Sequence, residues 1–544
     1  MKQSTPVLLS GLAAVLLSPL ALAQEFTAIS KSTAGVVGDK ESGEPRISED
    51  GRYVAFASKA TNLVAGDTNG YFDIYLRDTE LGTTIRVSNG LAGAEPNDDS
   101  RWPEISEDGA FVLFSSKASN LVSGDTNGSA DLFLYTVATG AMERVNLTYL
   151  GTEAVAGVSM DHDMYDLSDD GRFITFTSTS DDYVTIMTSN ASSNVFLRDR
   201  ILGTTVLVSY KIGDFASAGG KNPSINADGS KVVFVSGFWL LHPDDPDSND
   251  DIFLYTTGTG IVSLVSYNTA GTSGSSPGHS GFPIITPDGR YVVFESTSDD
   301  LAIEDTNTDS DIYIRDLTTA TTELVSFNSD GSVELYSNAK SADVSADGRY
   351  VTFTGHAKTE APTPILGQNV YVRDRTLGTT VLVNHPRWWF PFFMAKAWAP
   401  QITNDGDGVV MIDAIGTAEE GDSIYSQVNH ISHESGVGSM SMIGYDSVVA
   451  GSTFPLTLYD GPAPSTVYIL YSSSVTGFTY AGHSFDIGAP VTVLATTTTD
   501  ADGYVYWTSP TVPPSASGRT INIEMASTSG GVWYDSNHIP LTIL

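Results

Sequence analysis

The chain contains no cysteine. That excludes disulfides, thiolate metal sites, a thiol nucleophile and a lipidated N-terminal cysteine. Positive charge is scarce: 27 Lys and Arg stand against 65 Asp and Glu, a formal net charge of −38. Such a surface repels phosphates, which argues against nucleic-acid partners, while favouring solubility and the holding of cations. Beyond the first two dozen residues no run of about 20 apolar residues occurs, so no membrane span is expected. The helical zinc motif H-E-x-x-H is missing, and no organic cofactor is expected. Hydrophobic residues still make up 41% of the chain, enough to build large cores and unlike a disordered acidic polymer.

Met1–Ala23 has the order of an export signal: Lys2, an apolar stretch from Val7 to Leu22, then the small residues Ala21 and Ala23 at −3 and −1. Residues 1–23 are therefore expected to be removed, leaving a periplasmic or secreted protein. Without disulfides, something else must stiffen it, and bound calcium is one option.

An aliphatic residue followed three positions later by Asp-Gly recurs seven times, at Ile47, Ile105, Leu167, Ile225, Ile285, Val344 and Ile402. The glycines lie 58, 62, 58, 60, 59 and 58 residues apart. So regular a period signals an array or a closed ring. Each unit reads as four strands; in the first, one leads into Asp50-Gly51 and the others are Tyr53–Ala57, Asp73–Asp78 and Thr83–Ser88. Helical periodicity is almost absent. The expected fold is all-β: a seven-bladed β-propeller over 24–434, followed by a small Ig-like β-sandwich over 435–544. The last unit shows no obvious fourth strand, and Phe26–Ser30 precedes its Asp-Gly motif at the right distance to supply one. That would close the ring.

The units ISEDGRYVAFAS…DIYLRD and ITPDGRYVVFES…DIYIRD resemble the repeat of TolB-type, WD-like propellers of exported bacterial proteins, over roughly residues 26–430. The resemblance implies a propeller. It leaves function open, because such propellers serve as binding platforms, protease side domains and polysaccharide-degrading enzymes.

Two sets of loops could carry chemistry. Between the second and third strands of four units runs D-x-[ND]-x-x-x-D: Asp67, Asn69, Asp73; Asp125, Asn127, Asp131; Asp245, Asp247, Asp251; and Asp305, Asn307, Asp311. Oxygens at positions 1, 3 and 7 of a tight loop can converge on calcium, although no glutamate follows at position 12. The same residues can instead cap turns. Before each aliphatic residue stands a basic group: Arg46, Arg101, His162, Lys221, His279, Lys340 and Lys396, with Trp102, Tyr165, Phe282 and Trp398 interleaved. These could form an anion-binding mouth, or pair with Glu44, Glu104, Asp166 and Asp343. Trp388 and Trp389, in the aromatic stretch 385–398, could stack on sugars, plug the channel or dock the C-terminal module.

Three functions stay open. The leading one is a monomeric, exported propeller that binds a polymer, an acidic glycan, or a protein on its loop face. The second is a polysaccharide lyase, with Arg101 or Lys221 neutralising a uronate and His162 or Tyr165 as base. The third is a structural, envelope-associated protein.

Overall fold

The computed structural model describes residues 24–431 except 162, 186–192, 211–217, 240, 246, 272–277, 306–307, 327–335, 358–368, 383–396, 404–407 and 416–424. From 432 onward it describes strands alone, and side chains are described only within 28–410. The expected export signal lies outside these residues. The chain divides into two compact units, Phe26–Ile431 and one that holds Ser432–Leu544. Among the described residues no helix is long and apolar enough to cross a membrane.

The larger unit is a β-propeller. In its first blade Ser42–Ile47, Tyr53–Ser58, Asp73–Asp78 and Thr83–Arg86 pair antiparallel in chain order. Five further sheets repeat this order, over 100–144, 165–207, 221–264, 280–324 and 336–382. Among the described residues, sheets of four successive strands thus number six, not seven. The last repeat departs from the pattern: its sheet runs Gln24–Ala28, Tyr425–His433, Gly408–Ile415, Ala397–Ile402, so one strand comes from far upstream. The innermost strand of each sheet touches that of the next, and Ala397–Ile402 in turn touches Ser42–Ile47.

The repeat motif can be explained residue by residue. Ser48 donates to Asp50 at 2.7 Å, and the Arg52 N–H donates to the same carboxylate oxygen at 3.0 Å, which closes the turn. The glycine serves the neighbouring blade as well. Gly109 has φ +68°, and a Cβ there would lie 2.4 Å from Cδ2 of Tyr53, which begins the second strand of the preceding blade. Phe111 closes on Gly171 in the same way, Phe173 on Gly229 and Tyr291 on Gly348. The arginine after Asp-Gly reaches the aspartate that ends the third strand: Arg52 to Asp78 at 2.8 Å, Arg172 to Asp199 at 2.6 Å, Arg290 to Asp316 at 2.8 Å and Arg349 to Asp374 at 2.7 Å. Each of these guanidiniums also lies over the adjacent aromatic ring, 4.8 Å from its centroid in the first case. Inside each of the six sheets one buried aromatic pair joins the second and third strands, from Phe56–Tyr75 at 5.7 Å to Phe353–Tyr371 at 5.6 Å.

In the C-terminal unit Ser441–Ile443, Pro455–Tyr459 and Val505–Thr508 form one sheet. A larger sheet orders Ser447–Val448, Ile539–Ile543, Thr520–Ser529, Thr466–Ser472 and Thr492–Thr498.

Candidate functional site

The innermost strands line a central channel of about 700 Å³. These strands are irregular. Their ladders slip between Gly43 and Arg46, Arg101 and Glu104, Lys221 and Ser224, and Gly281 and Ile284. At each slip a non-glycine residue three positions before the aliphatic one turns left-handed: Glu44 at φ 57°, Trp102 at 53°, Asn222 at 48° and Phe282 at 49°. Ser341 does the same at 51°. In the first four cases a proline follows, and its missing N–H breaks the ladder at that point. A left-handed non-glycine residue costs about 1 kcal/mol or more. The fold bears that cost at the same position of at least five blades, and Glu44, Trp102, Phe282 and Ser341 all line the channel.

Below the bulges, the residue just before each aliphatic position also lines the channel: Arg46, Glu104, Asp166, Ser224, Ile284, Asp343 and Gln401. Several of these latch onto the next blade. Asp166 accepts the Ile225 N–H at 2.9 Å, Ser224 the Ile285 N–H at 3.4 Å, and Asp343 the Ile402 N–H at 2.8 Å. Burial pushes Asp166 and Asp343 up to about 6, although those N–H bonds pull the other way. Burial also pushes Glu104 up to about 8; the Arg46 guanidinium opposes this, while Asp166 and Asp163 add to it.

The expected basic ring separates into three groups. Arg46 and Arg101 line the channel, but each is engaged by acids. Arg46 pairs with Glu104 at 2.6 Å and Asp163 at 3.1 Å. Arg101 pairs with Glu44, donates from Nε at 2.6 Å, and stacks 3.8 Å over Phe72. Lys340 also lines the channel, is exposed, and has no ion pair among the described residues. Lys221 and His279 meet outside it, on Asp250: Lys221 at 2.9 Å from the carboxylate, and His279 Nδ1 accepting the Asp250 N–H at 3.1 Å. His162, Lys396, Trp388 and Trp389 lie outside the described residues, as does the Trp398 side chain. The lining therefore holds ten Asp and Glu against Arg46, Arg101 and Lys340.

Tyr165 is buried, and its hydroxyl is fully used. It takes the Ser115 N–H at 2.9 Å and lies 2.5 Å from the Trp102 carbonyl, and burial raises its pKa further. That is a structural tyrosine, not a base. Sequence reasoning named Trp102 and Phe282 but missed the bulges that carry them. Trp102 is half-buried, anchored by its indole N–H to the Met160 carbonyl at 2.7 Å, and Phe282 is 44% exposed. The signal was the residue before each strand proline.

The Asp loops share one structural duty. The last aspartate accepts from Ser or Asn beyond the outer strand: Asp73 from Ser88 at 2.7 Å, Asp131 from Asn146 at 2.6 Å, Asp251 from Ser266 at 2.6 Å and Asp311 from Ser326 at 2.5 Å. In two blades a guanidinium stands among the carboxylates where calcium was expected. Arg86 lies 3.8 Å from Asp67 and 3.6 Å from Asp73; Arg144 lies 3.6 Å from Asp125, 3.1 Å from Asp131 and 2.6 Å from Glu153. Asn307 lies outside the described residues.

No protein-family model matches the chain, and no curated protein does. Among solved structures it is similar to a prolyl endopeptidase, at 12% identity and TM-score 0.43 over 77% of this chain and 54% of that one. The chain thus spans about half that enzyme's length. A putative TolB from Agrobacterium tumefaciens matches at 14% identity and TM-score 0.32, over 76% of this chain and 99% of that one. A Trypanosoma rangeli sialidase matches at 8% identity and TM-score 0.31, over 94% and 89%. Likenesses of this size leave function to be read from the site itself.

Proposed function

We propose that the protein is an exported, carbohydrate-binding propeller whose ligand enters the bulged end of the central channel. The observation that carries this reading is the set of strained bulges, which place Trp102 and Phe282 beside carboxylates on one concave surface. Flat rings stack on sugar faces, and carboxylates accept sugar hydroxyls. The charge of the lining favours a neutral or amino sugar over the acidic glycan expected from sequence, because Arg46 and Arg101 are already committed to acids. The Met1–Ala23 pattern supports export. In the same reading the composite sheet counts as a seventh blade that ties the ends of the propeller together, and the C-terminal unit is an Ig-like accessory module.

A lyase has less support, since Tyr165 is held by backbone groups and offers no free base. Calorimetry against neutral, amino and uronate oligosaccharides, with absorbance read for unsaturated products, tests both readings. Neutral or amino sugars are expected to bind without product. Phe282→Ala and Trp102→Phe should each weaken binding about tenfold, ~1.4 kcal/mol, with the melting temperature kept. Binding of uronates alone, or indifference to both substitutions, would overturn this reading; a structural role remains if nothing binds.

A further inference from the structure

The four Asp loops amount to a comparison built into one chain. Their first aspartates, Asp67, Asp125, Asp245 and Asp305, occupy the same place in four blades, and two neighbouring positions decide what each one meets. One is the third residue of the third strand; the other is the outer-strand residue paired opposite it. In the first blade these are Tyr75 and Arg86, in the second Phe133 and Arg144, in the fourth Phe253 and Leu264, and in the fifth Tyr313 and Leu324.

Where a polar group is available, it satisfies the aspartate. The Tyr75 hydroxyl bonds Asp67, with Arg86 close by. Arg144 lies beside Asp125 in the second blade. In the fifth the Tyr313 hydroxyl bonds Asp305. The fourth blade has neither group: Phe253 replaces the tyrosine and Leu264 the arginine. Asp245 is completely buried there, and among the described residues neither of its carboxylate oxygens has a well-aligned hydrogen-bond partner, although the nearby Asp247 N–H favours its charged form. Leaving a buried carboxylate in that condition is costly, so something must meet it. One ligand oxygen each from Asp245, Asp247 and Asp251 lies within 4.8 Å of the others.

We propose that the fourth blade holds a calcium ion on Asp245, Asp247 and Asp251, in the place that a protein side chain fills in the other three. An all-oxygen, carboxylate-rich loop suits this hard cation, with backbone carbonyls and water completing six to eight ligands. Two of the three carboxylates are fully buried; Ser266 meets one oxygen of Asp251, but among the described residues no side chain meets Asp245, and the ion offsets that desolvation. This site is separate from the channel and does not depend on the channel's ligand.

The test is calorimetric titration of calcium chloride into the full chain after chelator treatment, with thermal melts in calcium and in chelator. The wild type should give a one-site isotherm and a melting temperature that falls in chelator. Leu264→Arg should abolish the isotherm and make the melt insensitive to chelator, because the guanidinium takes the ion's place as Arg144 does in the second blade. Arg144→Leu is the reciprocal change and should raise the stoichiometry from one to two. Should Leu264→Arg fail to fold, Phe253→Tyr supplies the hydroxyl instead and should weaken calcium at least tenfold. No heat at 10 mM calcium, or an isotherm that survives both Leu264→Arg and Phe253→Tyr, would overturn the proposal.

Discussion

Gly109 and Gly124 both have positive φ, +68° and +81°, but only Gly109 faces a neighbouring ring. Gly109→Ala should therefore cost well over the ~1 kcal/mol of backbone strain expected for Gly124→Ala, because Tyr53 must also retreat. Urea midpoints of the two variants check this. Glu104 gives a prediction of a different kind. Its carboxyl is raised to about 8 by burial, so between its unfolded value near 4.5 and 8 the folded state holds more protons than the unfolded one. Stability should fall as pH rises through that window. Glu104→Gln removes the titrating carboxyl while its amide oxygen can still accept from Arg46, so it should flatten the decline toward pH 8, as read from denaturation at several pH values.

At the scale of strands and loops, the latches between innermost strands matter most. Asp343→Ala removes the acceptor of the Ile402 N–H and should cost about 1–3 kcal/mol, read from urea denaturation. This is also the scale at which the sequence was readable in one respect and opaque in another. The Asp-Gly period marked the turn after the first strand in all six described cases, because that turn is closed by residues within five positions of one another, such as Ser48, Asp50 and Tyr53. The basic ring was not readable in the same way. Counting back from each aliphatic residue takes no account of a bulge, and the bulge separates Arg46, inside the channel, from Lys221, which turns to Asp250. The Asp loops hid their differences for a similar reason. What meets each first aspartate depends on Tyr75, Phe133, Phe253 or Tyr313, eight residues downstream, and on Arg86, Arg144, Leu264 or Leu324, some 19 residues downstream and across a ladder.

For the whole molecule, ring closure is the feature to test. Deleting residues 1–30 removes Gln24–Ala28 from the composite sheet and exposes the edge of Tyr425–His433. The truncated chain is expected to melt earlier and less cooperatively, and to self-associate through that edge, as seen by calorimetry and size-exclusion chromatography. Retention of one sharp, unshifted transition would count against a closed ring.

The contact between an aromatic ring in one blade and the turn glycine of the next has a consequence for ancestry. It makes the order of the units matter as well as their number. Where the second strands of the other five sheets begin with Tyr53, Phe111, Phe173, Tyr291 or Tyr350, the fourth begins with Lys231, whose ammonium bonds the Gly289 carbonyl at 2.5 Å. A gene that duplicated, lost or shuffled a blade would set the wrong residue against the wrong turn at each new junction. The repeats look interchangeable when aligned, yet each is fitted to its neighbour, so the circle has an inherited sequence of parts. Among the described junctions, the one at Lys231 is where a later insertion, deletion or circular permutation would disturb no ring-to-glycine fit.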